Sequence, residues 1–231
     1  MQYSFRNGTM STISFEIIKS GLERAFDAQA DATARWHDSE PDTATQAGKQ
    51  VTENEPALAA LHRLVLAQHL MNFKLWHVED IARRKDVGPE VIADCKYRID
   101  GYNQQRNDYM EKVDICMISL MEPLLPPAHE QVRINTESLG MAVDRLSILS
   151  LKMFHMLEQA AREDAPEQHR ENCRAKLAVL AEQRHDLSRA VMELLDDYAR
   201  GVKRPKTYYQ FKMYNDPDLN PELYGNRKGK A

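Results

Sequence analysis

Apolar positions recur along the chain at helical spacing and divide it into five long segments. From about Ser14 to Trp36, the residues Ile17, Ile18, Leu22, Ala25 and Phe26 fall three and four apart, on one face of a helix. The polar stretch from His37 to Asn54 has no period and reads as a loop. A second helix is expected from Asn54–Pro56 to about Arg84, with Leu58, Leu61, Val65, Leu75 and Ala82 on its apolar stripe. Proline suits that first turn, where its missing N–H has no helical partner. Gly88 and Pro89 then end one helix and open the next. The third helix runs from about Glu90 to Met121 and stops before Pro123 and the pair Pro126–Pro127. The fourth, about Ser138 to Glu163, has the most regular stripe: Leu139, Ala142, Leu146, Leu149, Met153, Met156 and Ala160. Pro166 opens the fifth, which carries Leu177, Leu180, Leu187, Val191, Leu194 and Tyr198 and ends before Gly201, a residue type favoured just past a helix end.

These segments predict an all-α fold: a single domain over 1–231, with a bundle of about five helices over 14–202. The first 13 residues are expected to be flexible and residues 226–231 disordered. Between them, residues 203–225 form an irregular Tyr-rich tail, whose density of aromatics predicts packing onto the bundle. Leu, Ala, Met, Glu, Arg and Gln dominate the helix interiors, and all are good helix formers.

Composition narrows the function classes. The net charge is −4, from 31 basic and 35 acidic residues, which argues against an electrostatic nucleic-acid binder. Cys95, Cys116 and Cys173 are far apart and form no CxxC pair, so neither a zinc ribbon nor a disulfide framework is indicated. The first twenty residues lack the apolar run of a signal peptide, and nothing approaches the ~18 apolar residues of a membrane span. The expected compartment is the cytoplasm.

The third helix carries the first chemical anomaly. Arg106 sits on the stripe formed by Ile99, Tyr102, Tyr109, Val113, Met117 and Leu120, where the period asks for an apolar residue. Beside it, Asp100, Asn103, Asn107, Glu111 and Asp114 share one face. Asn and Asp are poor helix-interior residues, so something must compensate for them. On the second helix, Asn72, Trp76, Glu79 and Arg83 share a face, with Phe73, His77 and Asp80 on the next. The fourth adds Asp144, Arg145, Lys152, His155 and Glu158, and the fifth places Arg184 on its apolar stripe. Buried charges of this kind need partners.

Three chemistries fit the pattern. A structural ionic network is one. A second is an anion site, with Arg98, Arg106 and Arg145 clamping a phosphorylated or carboxylated molecule and a carboxylate or His155 as base. The third is a di-metal carboxylate bundle. That would use His77 with Asp80, His155 with Glu158 and carboxylates of the third helix, but the His–carboxylate order is reversed, so no metal ligand is assigned. No phosphate-binding glycine loop or nucleophile elbow is present, and the sequence leaves the cofactor unknown.

Four segments, LWHVEDIAR, YRIDGYNQQRNDYMEKVD, SLGMAVDRLSILSLKMFHM and QFKMYNDPDLN, resemble the bacterial family called domain of unknown function 4254. The resemblance spans about residues 55–220. By that likeness the recurring residues are Trp76, Glu79, Asp80, Asp100, Asn103, Arg106, Asn107, Asp114, Asp144, Arg145, Lys152 and His155. With Arg98 added from the periodicity argument, all of these but Asp114 make up the candidate ligand-binding set. Gly140–Met141 departs from the Pro-Gly-type helix start expected there. The resemblance implies bacterial origin and an association with cell-envelope polysaccharide and glycosyl transfer. The expected function is therefore an accessory or partner protein of that pathway, working with glycosyltransferases or other envelope-biosynthesis proteins and open to self-association. The alternatives are an enzyme or binder of a nucleotide-sugar or similar phosphorylated molecule, and the di-metal protein.

Overall fold

The computed structural model describes residues 13–49, 56–211, 213 and 216–225. All but the last residue of the expected flexible start (1–13) and the whole expected disordered end (226–231) lie outside the described residues, as does Asn54 at the head of the second helix. Among the described residues there are seven helices: α1 Phe15–Asp38, α2 Ala44–Lys49, α3 Pro56–Ala82, α4 Pro89–Met121, α5 Leu139–Ala161, α6 Glu167–Ala199 and α7 Pro221–Gly225. The five long ones are those the apolar spacing predicts. A 3-10 turn, Glu122–Leu124, follows α4. The described residues contain no strand, only an isolated parallel bridge between Arg133 and Lys203.

Local chemistry sets the helix ends. Ser14 and Ser138 accept from the backbone N–H groups of Ile17 (3.3 Å) and Met141 (3.2 Å), capping α1 and α5. Pro89 opens α4 at its first turn. Gly201 closes α6 at φ +71°, the left-handed conformation that favours glycine.

α3 is the central helix. Leu58, Leu61, Val65, Leu66, Leu70, Phe73 and Val78 are buried on successive turns around it, and it packs against α1, α2, α4 and α5. The main core joins Ile18, Leu22 and Phe26 of α1 to Val113 and Met117 of α4, Val143 and Leu146 of α5, and Leu195 and Tyr198 of α6. A second cluster gathers Trp36, Leu66, Leu70, Phe73 and Leu151. No helix among the described residues is long and apolar enough to cross a membrane.

Two expectations need correction. The stretch from His37 to Asn54 is not all loop: α1 runs on to Asp38, and α2 lies within it with Ala47 and Gly48 buried. Six residues are too few to display a period, and tertiary packing on α3 holds this helix. The tail, in turn, packs for only part of its length. Arg133 N–H donates to Val202 O (3.2 Å), Arg204 N–H donates to Arg133 O (2.9 Å), and residues 202–205, 207 and 208 are half-buried. Beyond them Tyr209, Phe211, Met213, Leu219 and Leu223 are exposed. Once the backbone bridge ends, the tail has no periodic apolar face to lay on the helices, and aromatic content alone does not supply one.

Candidate functional site

Asp144 of α5 is the centre of a buried polar network. The residue is only 4% exposed, and its carboxylate accepts from three side chains on two other helices. Arg106 of α4 donates through Nε to Oδ1 (2.8 Å) and through Nη2 to Oδ2; from α3, Asn72 donates to Oδ1 at 2.9 Å and Gln68 donates to the same oxygen. The bidentate guanidinium and two amides supply what a buried carboxylate needs. In return the carboxylate holds the Arg106 guanidinium above its ordinary pKa.

The network continues away from Asp144. Asn72 also donates to Ser147 Oγ (2.9 Å), which lies 2.7 Å from His69 Nδ1. His69 Nε2 is 3.0 Å from Thr33 Oγ1, and the Thr33 hydroxyl donates to Gln29 O at 2.9 Å. With its proton on that carbonyl, Thr33 accepts from His69 Nε2–H, so Nδ1 is free to accept from the Ser147 hydroxyl. Burial drives the His69 pKa down to about 3, which keeps the ring neutral.

An open cleft of about 450 Å³ borders this network, between α3, α4 and α5. Asn72, Trp76, Glu79, Asp80, Asn103 and Arg106 line it. The structure thus gathers Trp76, Glu79, Asp80, Asn103, Arg106 and the adjoining Asp144 from the candidate set, sets His155 against Trp76 in a neighbouring cluster, and disperses the rest. Asn107 is half-buried on α4. Asp100 pairs with Lys96 along α4, and Arg98 lies 3.7 Å from Asp94 at the surface. Arg145 pairs with Glu137 (2.8 Å), and Lys152 lines grooves between α5 and α6. The carboxylates of α4 are engaged within the chain. Glu111 accepts from the backbone of Gln210 (2.8 Å), and Asp114 accepts from Gly140 N–H (2.7 Å). Among the described residues, no carboxylate of α4 joins a group of three or more side chains that could hold a metal ion. Arg184, on the α6 stripe, donates to Phe26 O (2.9 Å).

Asp114 gives a pH prediction. Burial raises its pKa from 3.8 to about 6, against the lowering effect of bonds from Ser138 and Gly140. An acid whose folded pKa is raised contributes stability that is complete below the unfolded pKa and is lost as pH rises through the folded one. Asp114→Asn keeps a carbonyl oxygen for Gly140 and has no charge to bury. Its melting temperature relative to the parent should therefore climb from pH 4 to pH 7, read by circular dichroism melts. A pH-independent difference would mean that Asp114 titrates normally.

A second constellation lies where α1, α3 and α5 approach. His37, His77 and His155 each offer a ring nitrogen within 4.8 Å of the other two. His37 Nδ1 bonds Thr33 O (2.7 Å), His77 Nδ1 bonds Phe73 O (2.8 Å), and His155 Nδ1 bonds Glu158 Oε2 (2.8 Å). Nε2 is the nitrogen left on each, and on His37 and His155 it is buried without a partner. Trp76 stacks on His155 with ring centroids 4.7 Å apart, and Phe154 stacks on His37 at 4.1 Å. Burial holds the His155 pKa below the usual imidazole value, against the pull of Glu158.

A family model described as "Protein of unknown function (DUF4254)" matches residues 62–207, well over half of the chain. The chain belongs to this family. The DUF4254 match runs from α3 into the tail and contains Asp144, Arg106, the cleft, His77 and His155. Gln29, Thr33 and His37 lie on α1, ahead of it. No curated protein and no solved structure matches the chain.

Sequence reasoning passed over Gln68, His69 and His37. The first two were findable, since they interrupt the apolar run between Val65 and Leu70 on α3. His37 was assigned to a loop, and only the continuation of α1 to Asp38 brings it beside His77 and His155.

Proposed function

We propose that this DUF4254 protein is a non-catalytic partner of bacterial cell-envelope polysaccharide assembly, acting in the cytoplasm beside glycosyltransferases, with the Asp144 network as its structural centre. One observation carries the non-catalytic part: each arginine available as an anion clamp already has a carboxylate of its own chain. Arg98 has Asp94, Arg106 has Asp144, and Arg145 has Glu137. A phosphate entering the cleft would have to strip Arg106 from a buried carboxylate, leaving that charge short of a cation. The partner role draws support from the apolar residues left exposed on the tail, Tyr209, Phe211, Met213, Leu219 and Leu223. The pathway itself rests on the resemblance of the four segments.

The test has two arms. Thermal melts with nucleotide-sugars and sugar phosphates should be flat, whereas a ligand at a hundred times its Kd adds about 2.7 kcal/mol, a visible shift. Affinity capture from a bacterial host should recover envelope glycosyltransferases with the full chain and lose them with a chain ending at residue 208. A nucleotide-sugar shift abolished by Arg106→Lys would overturn the partner reading in favour of a small-molecule site.

A further inference from the structure

We propose that His37, His77 and His155 form a mononuclear site for a divalent transition metal, with Zn²⁺ the fitting ion and one coordination position open. This inference is independent of the partner reading. The ligands come from three helices, His37 at the C-terminal end of α1, His77 on α3 and His155 on α5, so the packing of the bundle itself assembles them. In each ring Nδ1 is already committed to a carbonyl or carboxylate, which fixes the ring's orientation and leaves the Nε2 lone pair for a metal. That is the outer-sphere arrangement typical of metal-bound histidines, and the Glu158–His155 pair is its carboxylate form.

The distances suit one ion. Zn–N bonds of about 2.0–2.1 Å place tetrahedral ligand nitrogens roughly 3.4 Å apart, so from separations within 4.8 Å each nitrogen moves inward by under about 1 Å. Phe73, Phe154 and Trp76 pack against the rings and form an apolar wall. An all-imidazole set favours Zn²⁺, Cu²⁺, Ni²⁺ or Co²⁺ over Mg²⁺ and Ca²⁺, which take oxygen ligands. Without a metal, the buried Nε2 atoms of His37 and His155 have no hydrogen-bond partner, the unmet valence that an ion satisfies.

The untagged full chain, stripped with chelator, should take up one Co²⁺ per chain and develop the visible d–d bands of a low-coordinate imidazole site, which one equivalent of Zn²⁺ abolishes. His77→Ala and His155→Ala should each weaken binding at least tenfold, and Glu158→Gln should weaken it about tenfold or more through His155. Modification of the parent protein by diethyl pyrocarbonate, mapped by mass spectrometry, needs no variant to fold. Zn²⁺ should protect His77, whose Nε2 is not among the buried ring nitrogens, while the exposed His185 still reacts. Absence of Co²⁺ bands, full affinity in the His77→Ala/His155→Ala double variant, or labelling of His77 that Zn²⁺ leaves unchanged would overturn the site.

Discussion

Asp144→Ala is expected to destabilise the protein by about 3–5 kcal/mol, the range for removing one partner of a buried ion pair. For a chain of this size that is a drop in Tm of roughly 6–20 °C. The loss is large because three side chains depend on one carboxylate. Arg106 keeps a charge that is three-quarters shielded from water, and Gln68 and Asn72 lose their common acceptor. Urea unfolding followed by circular dichroism measures it. The double variant Arg106→Met/Asp144→Leu should recover part of the stability, since an apolar pair leaves no charge behind while Gln68 and Asn72 still lack their acceptor. If Asp144→Ala shifts the midpoint by no more than a surface substitution does, Arg106 is solvated and the network is peripheral.

Arg106 was legible in the sequence because it breaks an apolar stripe on a long helix. Its partner was visible too, as one of the polar residues singled out on the next helix. The pairing was not, because helical period fixes which face a residue takes on its own helix and says nothing about which residue stands opposite. The acidic stripe beside Arg106 shows the cost of that gap. Asp100, Asn103, Asn107, Glu111 and Asp114 share a face over about four turns, long enough that Asp100 meets only Lys96, Glu111 meets the tail and Asp114 meets the start of α5. Helix boundaries were the second weak point. Placing the end of α1 at Trp36 rather than Asp38 left His37 in a loop and hid the histidine cluster.

The two constellations are parts of one polar seam between α3 and α5, to which α1 adds Thr33 and His37 one helical turn apart. In the Asp144 half, hydrogen bonds run unbroken from Thr33 through His69, Ser147 and Asn72 to Arg106, and the atoms left over are the amide oxygens of Gln29 and Gln68. In the histidine half, His77 meets His155 two turns beyond Ser147 on α5, and the Nε2 atoms of His37 and His155 face no protein donor or acceptor. What sets the histidine half apart is that its unpartnered atoms are imidazole nitrogens gathered at one point, which suits that end to a metal ion.

Gly140→Ala should be the most damaging Gly→Ala change among the described residues, costing about 3 kcal/mol or more, at or beyond the top of the usual overpacking range. A Cβ on Gly140 would stand 2.3 Å from the carbonyl oxygen of Met110, and 3.1 Å from the Asp114 carboxylate. A backbone carbonyl inside α4 cannot swing aside as a side chain can, so the first turn of α5 must back away. That retreat also stretches the bond from Gly140 N–H to Asp114. Gly101→Ala is the matched control. It lies exposed within α4 with nothing within 4 Å of its added methyl, and alanine there should stabilise by roughly 0.5–1 kcal/mol. Thermal melts of the two variants should therefore move in opposite directions from the parent. A Gly140→Ala protein as stable as the parent would mean that α4 and α5 do not approach this closely, and the geometry that seats Asp144 on Arg106 would have to be redrawn.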